Sequence, residues 1–220
     1  MKLYLASADV DEVRWAAQHR LVDGVLTTPA MLTADPIATE RDTVLAITRA
    51  IQGPVYVAVH AVTGGDIYRD ARDLARLSDQ VVVQIPLLED SIAAMHRLSA
   101  EGVRVAATLV YSAAQALLAS RVGVVGVVSP VDDLDACGQD GVGAVRALRA
   151  VFDASGSEAD VIALRPADAT EFAACALAGA DAVAVTADVL RSLLVHPLTD
   201  RGVDRLLHDL SRQHGSWSLA

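Results

Sequence analysis

The chain has 220 residues, 53% of them hydrophobic and 21% charged, with a formal net charge of -10. That acidic balance argues against nucleic acid or an anionic membrane as partner, because phosphate recognition draws on clustered Lys and Arg. No apolar run is long enough to span a bilayer, no signal-peptide pattern opens the chain, and Cys137 and Cys175 are too few and too far apart for a disulfide framework, so a cytoplasmic protein is expected. The six histidines are scattered without zinc-ligand spacing, so no metal and no cofactor are expected. Among 18 basic residues only Lys2 is a lysine, which leaves lysine chemistry a single source.

Taken in chain order, short apolar β-rich runs alternate with helical patterns. The predicted strands cover 3–7 (LYLAS), 24–28 (GVLTT), 55–61 (VYVAVHA), 81–86 (VVVQIP), 103–110 (VRVAATLV), 123–130 (GVVGVVSP), 160–165 (DVIALR) and 182–186 (AVAVT). Continuous apolar strands separated by amphipathic helices predict parallel strands covered by helices. Eight such units in this length predict a closed (β/α)8 TIM barrel, an α/β fold, over residues 1–220 as one domain. A doubly wound open sheet is the alternative, weakened by the absence of a GxGxxG after the first strand and of a Walker loop. Helix starts are signalled by Ser7 or Asp9, by Asp90 or Ser91, and by Asp168 three residues before Glu171; Gly102, Gly179 and Gly215 mark helix ends. A last helix over 199–214 lies beyond the eighth unit, free to pack on the barrel or on a neighbouring subunit.

Chemistry in such barrels sits at the C-terminal ends of the strands, which directs attention to Ala6, Thr28, Ala58, His60, Gln84, Thr108, Ser129, Asp132, Arg165 and Thr186. Strand alternation predicts that Ala58 and His60 share a face.

The segments LYLASADV, GVLTTPA, VVVQIPLL, EGVRVAATLVYSAAQALLA and CALAGADAVAV stand in the order and spacing of the transaldolase family. The chain resembles its short branch, the fructose-6-phosphate aldolases, over essentially its whole length. The resemblance implies a lysine on the fourth strand that attacks a ketose carbonyl and forms a Schiff base. At that place in Val83-Gln84-Ile85-Pro86 stands Gln84, whose amide nitrogen is not nucleophilic. Other polar positions of the family also differ: Ala6 for an aspartate, Thr28 for an asparagine, Ala58 for a glutamine, with Thr108 kept. The family's sixth-strand tyrosine and its arginine fall near Pro130 and Asp133, and its seventh-strand serine falls at Arg165. Together these imply that Schiff-base catalysis has been lost. The resemblance further implies a homo-oligomer, a pentamer or a decamer of stacked pentamers, with the terminal helix reaching a neighbour.

Each candidate residue carries a bland reading beside a functional one. Gln84 either fills the lysine's space as a satisfied buried amide or recognises a ligand. His60 either pairs to a strand-end group or serves as general acid/base. Arg165 either ion-pairs with Asp132 or Asp133 or anchors a ligand's phosphate or carboxylate. Asp132, in the apparent loop SPVDDLDACG with Asp133 and Asp135, is either solvated or a base. Cys137 in the same stretch is a minor nucleophile candidate at a helix N-terminus, whereas Cys175 reads as helix packing. Thr28, Thr108 and Tyr111 are pocket donors, and the other histidines read as surface.

Two functions are expected. One is a repurposed enzyme acting on a small polar carbonyl or sugar-derived metabolite by lyase, isomerase or cyclase chemistry, with His60, Gln84 and Asp132 catalytic and Thr28, Thr108, Tyr111 and Arg165 binding the small-molecule ligand at the barrel mouth. The other is a non-catalytic ligand sensor or assembly partner.

Overall fold

In a computed structural model, which describes residues 1–34 and 39–213, eight parallel strands form where the apolar runs lie. They are β1 (Lys2–Ala6), β2 (Gly24–Leu26), β3 (Val55–Ala58), β4 (Val81–Pro86), β5 (Val105–Thr108), β6 (Gly126–Pro130), β7 (Asp160–Leu164) and β8 (Ala182–Val185). Each pairs with the next, and β8 returns to β1 with Tyr4 opposite Ala184, so the sheet closes into a (β/α)8 barrel.

The helices follow in turn: α1 (Val10–Gln18), α2 (Pro29–Leu32), α3 (Glu40–Ala50), α4 (Gly64–Ala75), α5 (Ile92–Ala100), α6 (Ala113–Ser120), α7 (Val131–Ala136), α8 (Gly141–Ser155), α9 (Ala169–Leu177), α10 (Ala187–Ser192) and α11 (Pro197–Gln213). Asp9 caps α1 by accepting from the Asp11 and Glu12 amides, and Asp168 caps α9 through the Thr170 and Glu171 amides. Glu171 does not close a capping box on Asp168; it accepts from the Ala167 amide one residue earlier. Ser91 sits at the start of α5 after a 3₁₀ turn over Glu89–Ser91, and its hydroxyl accepts from the Leu88 amide and donates back to carbonyls there. The turns after α5 and α9 are left-handed at Gly102 and Gly179, as expected from their glycines. Gly215 and His214, the expected last residue of the terminal helix, lie outside the described residues.

Side chains alternate across the sheet and build two cores. The outer one packs Leu5, Val25, Val57, Val83, Ile85, Val127, Val161 and Val183 against helix residues such as Ile47, Leu98, Leu148 and Phe152. Full burial of each branched or aromatic side chain there contributes about 1.5–3 kcal/mol. The inner core fills the barrel with Tyr4, Leu26, Tyr56, Val82, Val128, Ile162 and Leu164 beside Ala6, Ala106, Ala182 and Ala184. Met31 of α2 packs onto this inner cluster from the C-terminal side.

Several strands stop earlier than their apolar runs. The fifth contracts from 103–110 to Val105–Thr108 because Leu109 adopts a left-handed backbone, φ 59°, which breaks the ladder. The third ends at Ala58 rather than residue 61, where the His60 and Ala61 amides turn to Asp70 of α4. Of the stretch expected as a loop at residues 129–138, Ser129 and Pro130 end β6 and Val131–Ala136 is helical: α7 holds Asp132 and Asp133 in its first turn. Cys137 therefore sits at the C-terminal end of α7, exposed, rather than at a helix N-terminus. Cys175 is buried in α9, and burial pushes its thiol up to about 12.

Candidate functional site

Gln84 is the one long polar side chain on the inner face of β4. It is 3% exposed and stands opposite Ala58 in the ladder with β3. Because Ala58 is short, the amide passes over it, and Nε2 donates to the Thr27 carbonyl at the end of β2, 2.8 Å away. A carbonyl only accepts, so the contact fixes which end of the amide faces it. Among the described residues no donor reaches Gln84 Oε1. On the adjacent strand, Thr108 follows the inner-facing Ala106 and pairs in register with Pro86; it is half-buried.

The rim continues from β5 to β7 through a charged cluster. The Tyr111 hydroxyl donates to Asp133 Oδ2 at 2.8 Å. Arg165, just past β7, grips Asp132 through Nε at 2.6 Å and Nη2 at 3.2 Å, and lies 3.4 Å from Asp133. This bidentate pair is the ion-pair reading of Arg165 realised in full. Burial works against the guanidinium charge, but the Asp132 bond and both carboxylates outweigh it and raise its pKa. Burial, reinforced by the bond to Asp133, pushes the Tyr111 phenol up to about 12. Arg165 holds φ at 58°, like Leu109 at φ 59°, so two left-handed non-glycine residues flank the cluster. Such conformations cost about 1–2 kcal/mol each and concentrate where surrounding structure holds a site in place.

His60 stands elsewhere. The strand ends before it, so it does not share the inner face of Ala58. Its Nε2 lies 2.7 Å from Glu40 of α3, and its side chain is 44% exposed. It lines a recess of about 290 Å³ on the outside of the barrel with Val57, Val44 and Leu74, between α3 and α4. The expected neighbourhood of His60 and Gln84 is thus corrected: the geometry joins Gln84 with Thr27, and Tyr111 through Asp133 with Arg165 and Asp132, and leaves His60 apart. Thr28 serves as the N-cap of α2, accepting from the Met31 amide at 3.4 Å. Asp133 was underweighted in the sequence, although it bridges Tyr111 and Arg165; the signal was its place beside Asp132 directly after a strand-ending Ser-Pro. Glu40 was missed because the polar pair it makes spans two βα units. No group of three or more His, Cys, Asp or Glu among the described residues is arranged to hold a metal ion.

Lys2 begins β1 at the other end of the barrel. Its Nζ lies 2.7 Å from Asp160 Oδ2, and that bond raises its pKa and keeps it protonated.

Residues 3–219 match the family described as Transaldolase/Fructose-6-phosphate aldolase. The chain belongs to that family. A probable transaldolase of Kosmotoga olearia is 34% identical over 210 residues, covering 95% of each chain. Similar proteins of Geobacter sulfurreducens, 32% identical, and Heliobacterium modesticaldum, 35% identical, each align over 209 residues, with 95% of this chain and 97% of theirs covered; both are also named probable transaldolase. The fold therefore carries the aldolase-like barrel of its family. No helix among the described residues is long and apolar enough to cross a membrane.

Proposed function

We propose that this barrel binds a small polar metabolite at its C-terminal mouth and works without a Schiff base, because Gln84 stands where the family's lysine would be. The observation that carries the reading is the Gln84 amide, held on the inner face of β4 by the Thr27 carbonyl. An amide nitrogen has its lone pair delocalised and cannot add to a carbonyl to form an imine. The chain's single lysine, Lys2, is at the opposite end and protonated.

Chemistry at the mouth is then of the acid/base kind. Asp132 and Asp133 are carboxylates able to accept a proton, and Tyr111 keeps its proton through the physiological range and can donate it. That set suits lyase, isomerase or cyclase steps on a hydroxylated or carbonyl-bearing metabolite. Gln84 and Thr108 orient the ligand. His60, paired to Glu40 on the outer side, is a structural residue in this reading. The protein is cytoplasmic and self-associates: α11 exposes Leu198, Val203, Leu206 and Leu207, apolar surface suited to a neighbouring subunit.

A second reading has its own observation. Asp132 and Asp133 are tied to Arg165, and Thr28 caps a helix, so these polar groups already serve the fold. A barrel that binds a ligand without transforming it fits that arrangement.

The test is borohydride reduction of the intact protein with fructose 6-phosphate, read by intact mass. No adduct is expected on the wild type, and Gln84→Lys is expected to gain one. A reduced adduct on the wild type overturns the loss of Schiff-base chemistry. A thermal-shift screen of sugars, sugar phosphates and keto acids, repeated on Gln84→Leu, tests the ligand site: a stabilising compound should lose its effect in the variant.

A further inference from the structure

The N-terminal end of the barrel, away from Gln84, holds a recess of about 430 Å³. That volume falls within the range of small-molecule sites. Its charged groups come from residues that enter the strands. Lys2 of β1 and Asp160 of β7 neutralise each other across 2.7 Å. Two charges remain. Asp23, just before β2, accepts the Leu3 amide on Oδ2 at 2.8 Å and forms no ion pair among the described residues. Arg104, just before β5, donates Nη2 to the Asp79 and Val81 carbonyls and likewise forms no ion pair among the described residues. The recess therefore carries one uncompensated carboxylate and one uncompensated guanidinium, both on exposed rim residues.

The barrel sets the positions of those two charges. Strands are consecutive around the sheet, so β3 and β4 stand between Asp23 and Arg104. Pro54 at the entry to β3 and Val82 on β4 line the recess between them, and the buried Tyr4 and Tyr56 form its floor. The charges of Lys2, Asp160 and Asp23 act on the Tyr4 phenol, and those of Asp160 and Arg104 on Tyr56, so both phenols face the charged rim. Burial raises both pKa values above the ordinary 10.0, and the hydroxyls keep protons that they can donate at pH 7. The order round the wall is thus carboxylate, apolar strip, guanidinium. Neighbouring strands lie about 4.8 Å apart, which puts the two backbones roughly 14 Å apart along the wall. The two side chains close part of that distance, and a ligand that meets both needs its own charges separated by several carbons.

We propose that this recess binds a small ω-amino acid, whose ammonium meets Asp23, whose methylenes lie on Pro54 and Val82, and whose carboxylate meets Arg104. A ligand of one charge would leave one rim group unanswered. An α-amino acid sets its ammonium and carboxylate on one carbon, too close together to reach both walls. Chemistry in (β/α)8 barrels sits at the other end, so this is a site of binding, and it stands independently of the reading of the mouth. Its occupancy stabilises the folded barrel, as any ligand of the native state does.

The experiment titrates four five-carbon compounds into the intact protein by calorimetry at pH 7 and low salt: 5-aminopentanoate, its isomer 2-aminopentanoate, pentanoate and pentylamine. 5-Aminopentanoate is expected to bind about tenfold more tightly than each of the others, since each of them forgoes one charge-assisted contact. The advantage should shrink at 0.15 M salt, because the rim is exposed and salt screens it. Asp23→Asn keeps an acceptor for the Leu3 amide, and Arg104→Gln keeps a donor for the Asp79 and Val81 carbonyls, so both variants should fold. Asp23→Asn should bring 5-aminopentanoate to within about threefold of pentanoate, and Arg104→Gln to within about threefold of pentylamine. Asp23→Glu and Arg104→Lys retain the charges and should retain most of the preference. The proposal is overturned if 5-aminopentanoate does not bind, if 2-aminopentanoate binds as tightly, or if either neutralising variant leaves the affinity for 5-aminopentanoate unchanged. The ranking of the four compounds on the wild-type protein stands as a test even where a variant fails to fold.

Discussion

At the lower end of the barrel Tyr4 and Tyr56 pack with ring centroids 5.3 Å apart, and Lys2 holds Asp160 at 2.7 Å. At the upper end Gln84 leaves its oxygen unmatched, and Arg165 and Leu109 hold left-handed backbones around a cluster with excess acid. The lower end carries large aromatic side chains and a neutralised pair around a recess of about 430 Å³ lined by Lys2, Tyr4, Tyr56, Arg104 and Asp160. The upper end is lined by alanines at Ala6 and Ala58, with polar atoms only partly used. Left-handed non-glycine backbone occurs at both ends, since Arg20 before β2 has φ 53°, so the difference lies in the side chains: the lower end is packed with aromatics, and the upper end gathers polar groups, as expected where function resides.

The sharpest way to break this contrast is Tyr56→Ala. It removes a 3%-exposed aromatic from the lower plug and should cost about 3–5 kcal/mol in denaturant unfolding, the range for large aromatic-to-alanine changes. Gln84→Leu, by contrast, should cost no more than about 1–2 kcal/mol, since one hydrogen bond is lost and an unmatched oxygen goes with it. If both changes destabilise equally, the upper end is structural. Asp132→Ala leaves Arg165 half-paired; because the pair is partly solvent-screened, a loss of about 1 kcal/mol is expected. Arg165→Gly trades the ion pair for relief of a strained φ and should fall within about 1 kcal/mol of wild type.

Alkaline titration sharpens the comparison further. Burial raises the phenols of Tyr4 and Tyr56, and Tyr111 is pushed up to about 12 from an ordinary value of 10.0. The native state therefore holds these protons more tightly than the unfolded chain. Their contribution to stability is complete below pH 10 and is lost as pH rises through the folded values, so unfolding should become easier above pH 10. Tyrosinate absorbance should show a step near pH 12 that disappears in Tyr111→Phe. The smallest effect is expected from Lys2→Met, an exposed pair whose loss should change stability by about 0–1 kcal/mol.

Much of the fold was legible in the sequence. Runs such as VVVQIP and DVIAL are apolar on both faces, which only a strand covered by helices accepts, and eight of them within this length leave a closed barrel as the economical arrangement. Strand ends were less legible because Leu109 and His60 sit in apolar contexts that hide a backbone change. The site was readable in part. Gln84 stood out as a lone amide in an apolar run, and its inner-face position followed from alternation. The partnership of Tyr111, Asp133 and Arg165 joins three separate βα units, and no local pattern encodes such a contact. His60 shows the opposite failure: alternation was extended past Ala58, where the strand had already ended and the amides had turned to Asp70.

The solitary lysine has a practical side. The one lysine of the sequence, Lys2, stands at the foot of β1, while every other basic side chain is arginine or histidine. A surface that couples through amines would grasp each molecule by the same end and leave its mouth facing solution. Immobilised barrels would stand in one orientation, and a binding signal recorded from them would come from a uniform population with the Gln84 end open.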